Sequence, residues 1–245
     1  MNIFNNDCLE EMKNIKDKSI DLVFCDLPYG QTSCKWDCKI DLNLFWKEIM
    51  RIKKLNTPIF FTTTTKFGVE IITSAPKKCH FRYDIVWCKS ASAGFLSAKK
   101  MPMRKHEMIY VFYEKLPFYD LSSHKHKFLN KEMRPTETYK NESTMYGNID
   151  RPDFKRKDGE SMYEPPLPNS MLEIKSTKRK HSTEKPVALI EWILKYYSKE
   201  GDTILDPTMG SGSTGVACKN MNRNFIGIEK DEEIFNVAKS RLNID

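Results

Sequence analysis

The 245-residue chain has no apolar run approaching the roughly 18 residues that a membrane span needs, so no transmembrane segment is expected. Its first residues, Met1 to Asp7, show neither the basic end nor the long apolar stretch of a secretory signal, which points to an intracellular, cytoplasmic protein. The seven cysteines are odd in number and are read as reduced thiols. Cys34 and Cys38 find no second Cys/His pair at metal-ligand spacing, so no metal site is expected. No internal repeat or low-complexity tract occurs, which excludes solenoids and fibrous arrays.

What is present is an ordinary globular composition, 40% hydrophobic and 11% aromatic, with a net charge of +7. A polyanionic partner suits that charge, although many unrelated proteins share it. The balance is local as well as global. Residues 121–180 carry thirteen Lys/Arg against nine Asp/Glu, a surplus of four, including the clusters Lys155-Arg156-Lys157 and Lys178-Arg179-Lys180. Those six residues are candidates for nucleic-acid phosphate contacts; a solvated surface is the alternative.

Apolar runs of strand length lie at 20–25, 59–61, 84–87, 108–112, 203–205 and 225–228, and the spacing predicts helices near 41–54, 66–75, 184–198, 213–221 and 231–242. Strands without polar alternation suit a sheet covered on both faces. Their alternation with helices predicts an α/β fold with a mostly parallel sheet. Residues 118–180 break the pattern, being polar, basic and punctuated by five prolines, and read as an insertion between a catalytic part at 1–117 and 181–245.

Thr203-Ile204-Leu205-Asp206-Pro207-Thr208-Met209-Gly210-Ser211-Gly212-Ser213-Thr214-Gly215 is a strand, a glycine-rich turn and a helix start. Glycines there let a ligand approach the backbone, and open N–H groups at the helix start can hold an anionic group. The pattern also fits a dinucleotide loop, with Glu229 ending the next strand where it can bind ribose hydroxyls. Only about thirty residues follow the loop, too few for the second half of a dinucleotide fold. Asp206 before the turn would repel a pyrophosphate and suits a ligand with a positive centre. A turn without a ligand remains the alternative.

A second constellation is Asp26-Leu27-Pro28-Tyr29, at the end of the apolar strand 20–25. A base amine is a poor nucleophile because its lone pair is delocalised into the ring. Two acceptors binding its hydrogens favour a pyramidal nitrogen with the lone pair free. Asp26 supplies one acceptor, and the Leu27 carbonyl, held outward by the turn that Pro28 fixes, supplies the other. Tyr29 can stack on a base drawn out of a duplex. A plain Asp-x-Pro turn is the alternative.

Taken together, the tetrad resembles motif IV, and the glycine loop motif I, of the beta class of DNA amino-methyltransferases, the N6-adenine and N4-cytosine family. Leu27 replaces the family's first proline, Thr208 its frequent Phe, and Ser182 its frequent Pro. Asn6-Asp7-Cys8 is similar to the N-terminal motif whose acid contacts the cofactor adenine, and His181-Ser182-Thr183-Glu184-Lys185-Pro186 to the segment before motif I. The resemblance implies a Rossmann-like, circularly permuted, mostly parallel seven-stranded sheet with helices on both faces plus a small insertion. It implies S-adenosylmethionine as cofactor, held by Asp7, Cys8, Asp26, Thr183, Lys185, Asp206, Pro207, Gly210, Gly212, Ser213, Thr214 and Glu229. The expected activity is site-specific methylation of adenine N6 in double-stranded DNA, as in restriction-modification, with target recognition in 118–180. Adenine is preferred because Asp26 stands where N4-cytosine members more often have Ser. A cytosine-N4 enzyme and a silent nucleic-acid-binding relative are the alternatives, and a homodimer is left open. None of the twelve prolines precedes a cysteine, which excludes the usual nucleophile of carbon-5 cytosine chemistry.

Overall fold

Two adjacent phenylalanines show how the sheet is covered. The Phe60 ring lies 5.0 Å from that of Tyr197, whereas the Phe61 ring lies 5.5 Å from Trp46 and 6.0 Å from Phe45. Consecutive residues of a strand face opposite sides, so a strand with a large ring on each face requires a helix on each face. The computed structural model describes residues 1–30, 38–127, 138–143, 147–152, 161–176 and 184–244.

In chain order the elements are β1 (Asn2–Asn5), α1 (Cys8–Glu11), β2 (Leu22–Cys25), α2 (Leu42–Ile52), β3 (Ile59–Thr63), α3 (Thr65–Ser74), β4 (Phe81–Ala93) and β5 (Arg104–Phe112). There follow β6 (Lys125–His126), β7 (Thr138–Ser143), β8 (Gly147–Pro152), β9 (Tyr163–Glu164), β10 (Met171–Glu173), α4 (Val187–Tyr197), β11 (Thr203–Asp206), α5 (Ser213–Asn220), β12 (Asn224–Glu229) and α6 (Glu232–Leu242). Local chemistry marks several helix starts. Asp41 accepts hydrogen bonds from Asn43 N and Leu44 N, Thr64 from Phe67 N and Asp231 from Ile234 N, each satisfying an N–H that the helix leaves open.

The main sheet has the order β1-β12-β11-β2-β3-β5-β4-β10. Only β5 runs antiparallel to its neighbours, β3 and β4. The N-terminal β1 pairs in parallel with the last strand, Ile3 opposite Gly227, as a permuted order requires. The sheet therefore has eight strands where seven were expected. The extra strand, β10, lies inside the segment read as an insertion. It is three residues long with one buried apolar side chain, Leu172, too short to leave a periodic signal, and it joins the edge of β4 through backbone pairing.

The chain divides into two compact units, one of residues 1–120 and 170–245 and one of residues 121–169. The smaller unit contains the β6–β9 ladder, in which the His126 ring packs edge-on to Tyr163 at 4.9 Å, and the β7–β8 hairpin. Its extent is narrower than 118–180, because residues from 170 onward belong with the sheet.

Candidate active site

Ligand sites of open α/β sheets lie outside the C-terminal ends of the parallel strands. Here that edge is built by the loops after β11, β12, β1 and β2. Behind β11 comes the glycine turn. Gly210 and Gly212 have φ of 53° and 82°, left-handed conformations that disfavour other residues. Met209 N donates to Ile228 O, fastening the turn to β12, and Gly210 N donates to Glu229 Oε2 at 3.0 Å. A Cβ on Gly212 would come 3.2 Å from Ala238 Cβ, so this glycine faces α6, and it is not among the residues lining the cavity described below.

Asp206 is buried beneath the turn. Thr214 Oγ1 donates to its Oδ2 at 2.5 Å and Thr208 N to its Oδ1 at 3.2 Å. Burial dominates those bonds and pushes its carboxyl up to about 7. Glu229 accepts from Gly210 N on one oxygen and from Asp231 N at 2.9 Å on the other, and burial again raises its carboxyl. Asp7 caps α1 through Leu9 N and meets Lys230 Nζ at 3.1 Å. Burial pushes Asp7 up, but Lys230 and the backbone donors outweigh it and leave it below the ordinary value. Burial pushes the Cys8 thiol up to about 12, which removes it as a nucleophile.

The tetrad sits opposite. Asp26 Oδ1 accepts from Thr62 Oγ1 at 2.5 Å and lies 3.1 Å from the Tyr29 hydroxyl, which is also 3.1 Å from Thr62 O. Lys185 Nζ donates to Asp26 Oδ2 at 2.5 Å and lies 3.7 Å from Glu107 Oε2. Burial pulls the Lys185 ammonium down, but Asp26 and Glu107 overcome it and hold it charged. A carboxylate has about four acceptor positions. Three are used here, and the one remaining is on Oδ2. Leu27 is buried in the core, so its side chain is spent on packing. The Tyr29 ring packs on Phe67 at 5.2 Å. Thr208 Oγ1 donates to Asp26 O at 3.1 Å and ties the glycine turn to the tetrad.

One cavity of about 500 Å³ collects Asp7, Cys8, Asp26, Leu27, Pro28, Tyr29, Lys185, Asp206, Pro207, Gly210, Ser213, Thr214 and Glu229. Such a volume is within the range of small-molecule sites. Thr183 and the six basic residues Lys155, Arg156, Lys157, Lys178, Arg179 and Lys180 lie outside the described residues. Lys185, expected from the sequence to contact a cofactor, lines this cavity, and its ammonium also meets the tetrad carboxylate. Trp87, Lys89 and Glu107 also line the cavity, and Thr62 buttresses Asp26, yet none was anticipated. A polar Glu107 entering the apolar run 108–112 was the available signal for one of them. The others depend on the long-range pairing of β4 with β5 and of β2 with β3.

A family model described as DNA methylase matches residues 20–240. The chain is 27% identical to the type II methyltransferase M.HinfI of Haemophilus influenzae over 266 residues, covering 98% of this chain and 67% of the relative. The crystal structure of an M1.HpyAVI-SAM complex superposes with a TM-score of 0.63 at 23% identity, covering 98% of this chain and 99% of that one. The PvuII DNA methyltransferase, cytosine-N4-specific, superposes with a TM-score of 0.68 at 14% identity, covering 98% and 85%. These two structures share the fold.

Proposed function

Because the chain belongs to the DNA methylase family, whose model spans residues 20–240, we propose that it transfers the methyl group of S-adenosylmethionine to the N6 amine of adenine in double-stranded DNA. The observation that carries this reading is the placement of Asp26 and the glycine turn on one cavity, joined by the bond from Thr208 Oγ1 to Asp26 O.

The donor set fits S-adenosylmethionine. Buried Asp206 and half-buried Glu229 lie on the walls, Glu229 with acceptor positions still open towards a ribose diol, and Asp206 with a carboxyl that a neighbouring cation would ionise. Asp7 and Lys230 stand at the β1 and β12 end for polar contacts with the adenine. When bound, this cofactor supplies an electrophilic methyl on a sulfonium. The protein's part is to make the amine a nucleophile. Asp26 Oδ2 accepts one amine hydrogen and the Leu27 carbonyl the other, which favours a pyramidal nitrogen. Lys185 and Thr62 fix the carboxylate, so no reorganisation is needed as charge develops. The methylated nitrogen carries a surplus proton, for which Asp26 Oδ2 is the nearest acceptor. Tyr29, its hydroxyl tied to Asp26 and its ring backed by Phe67, offers a preset stacking surface for the flipped base.

Adenine rests on Asp26 at the first tetrad position, with cytosine N4 as the second reading. The smaller unit and the basic clusters at 155–157 and 178–180 are assigned to target recognition and phosphate contact. Incubating purified protein with labelled cofactor and genomic DNA, then separating the nucleosides, tests the proposal. N6-methyladenine is expected. N4-methylcytosine replaces the substrate, and no labelled nucleoside rejects the activity.

A further inference from the structure

The hairpin between β4 and β5 leaves the sheet at the site edge. Thr63, near the C-terminal end of β3, pairs with Met108, so β5 residues before 108 extend past that end. Trp87 opposite Glu107 and Ala93 opposite Arg104 carry β4 out beside it. Trp87, Lys89 and Glu107 line the cavity, so the stem is a wall of the site. Ala93 lies six residue steps beyond Trp87, a reach of at most about 20 Å from that wall.

Two properties of the projecting part conflict with a merely solvated loop. Its large apolar side chains are exposed: Phe95 at 82%, Leu96 at 99%, Met101 at 61% and Met103 at 46%. Between Asp84 and Glu107 it carries Lys89, Lys99, Lys100, Arg104 and Lys105 with no acidic residue. Gly94, with φ of 91°, turns the chain into a short 3-10 turn over Phe95–Ser97, setting Phe95 and Leu96 at the tip. Lys89 is paired with Glu107 at the cavity wall, which leaves Lys99, Lys100, Arg104 and Lys105 as the cations beside the apolar tip, and that combination next to the cavity assigned to the base is the chemistry of a wedge for duplex DNA. Cations neutralise phosphates, and apolar side chains fill a gap in the base stack.

We propose that the 94–105 hairpin is a DNA-docking element in which Phe95 and Leu96 enter the duplex where the target base leaves it, while Lys99, Lys100, Arg104 and Lys105 hold the flanking phosphates. This rests on the DNA methyltransferase reading and names the surface by which the duplex is opened. An anionic lipid surface would also attract such a tip, but the hairpin's place on the wall of the base-binding cavity favours DNA.

The test compares the parent with Phe95→Ala/Leu96→Ala, two exposed positions whose loss leaves the core intact. Both act on a duplex containing the methylated sequence, found by modified-base sequencing of DNA from expressing cells. A second duplex carries the target opposite an abasic site, where opening is already done. The double variant is expected to lose roughly ten- to hundredfold in kcat/KM on the paired duplex and less than about threefold on the opened one. Cofactor affinity should be unchanged. Lys99→Ala/Lys100→Ala/Lys105→Ala should reduce the salt slope of DNA binding by about one for each phosphate that is no longer neutralised. Equal loss on both duplexes, no loss on either, or weakened binding to phosphatidylserine vesicles with unchanged DNA kinetics overturns the wedge. Absence of transfer by the parent to either duplex rejects the methyltransferase reading instead.

Discussion

Lys185 Nζ lies 2.5 Å from Asp26 Oδ2 across 159 residues of sequence. The pair joins the tetrad loop after β2 to the segment entering α4, and Glu107 of β5 lies on its other side at 3.7 Å. Glu107 Oε2 is buried without a hydrogen-bond partner among the described residues, while its Oε1 accepts from Lys89 Nζ, so two lysines and two carboxylates form one charge cluster at the cavity wall. Removing Lys185 leaves Asp26 without its cation in a mostly buried place, and removing Asp26 weakens the compensation of Lys185 to the longer contact with Glu107.

A double-mutant cycle reads that coupling. Asp26→Ala alone leaves Lys185 only the more distant Glu107, and Lys185→Met alone leaves Asp26 without its cation. Each is expected to cost about 1–3 kcal/mol, below the range for fully buried pairs because the Asp26 side chain is 25% exposed. Asp26→Ala/Lys185→Met should cost less than the two losses added. Urea denaturation of the four proteins checks this; strict additivity would mean the two groups do not interact.

Transfer kinetics separate the tetrad's roles. Asp26→Asn keeps the side chain's shape but offers weaker acceptance of the target amine. Single-turnover transfer should therefore slow by roughly one to two powers of ten, with cofactor affinity largely kept. Tyr29→Ala should instead weaken capture of the base by about 1–3 kcal/mol. Transfer by Asp26→Asn at the parent rate would remove Asp26 from the chemistry.

Packing beneath the glycine turn makes a third prediction. A Cβ on Gly227 would come 2.4 Å from Met209 Sδ and 2.5 Å from a ring carbon of Phe225. Met209 belongs to the turn, so Gly227→Ala must displace it towards the cavity. A loss of about 1–3 kcal/mol is expected, and cofactor affinity should fall with it. Gly210→Ala, by contrast, has open space at Cβ and only the strain of φ 53° to bear. Thermal denaturation and cofactor titration of both variants distinguish crowding from strain. Equal affinity in parent and Gly227→Ala would show that Met209 moves elsewhere.

The parts of the site written as contiguous motifs were legible in the sequence. Asp26-Leu27-Pro28-Tyr29 and Asp206 to Gly215 each combine a strand end, a turn and functional groups within a few residues, so local chemistry identifies them. The parallel pairing of β1 with β12 followed from motif order. Lys185 is legible as a site residue, but its pairing with Asp26 is not, because which carboxylate it meets is decided by how the segment entering α4 packs and not by its neighbours in the chain. Gly212 fits the dinucleotide-loop pattern and also lets α6 approach, a contact invisible without the helix in place. Glu107 and Thr62 reach the site only through strand register. β4 extends past its apolar core at 84–87 because the paired β5 carries its backbone hydrogen bonds outward, whereas the apolar pattern stops where the sheet stops being covered.

The final prediction concerns pH. Burial raises the Asp206 carboxyl from 3.8 to about 7, so the folded protein holds a proton there that the unfolded chain has already released between those two values. Stability from this group is therefore fully present below pH 3.8, declines as pH rises, and is lost above about 7. The penalty amounts to a few kcal/mol, on the order of 1.4 kcal/mol per unit. A cation bound beside Asp206 reverses the preference, because it pairs with the ionised form. Cofactor affinity should then climb with pH up to about 7, by at most about tenfold per unit, and level off above it. Asp206→Asn tests both halves. Its carbonyl can still accept from Thr208 N, and its amide can donate to the Thr214 hydroxyl, which then accepts in place of donating. At pH 8 the ligand-free variant should melt above the parent, since it buries no charge, while near pH 4 the two should melt together. Its cofactor affinity should be weak and nearly flat with pH. Calorimetric titration of parent and variant from pH 5.5 to 8.5 decides the matter: a parent affinity that is constant or falls as pH rises would place the positive centre of the cofactor away from Asp206.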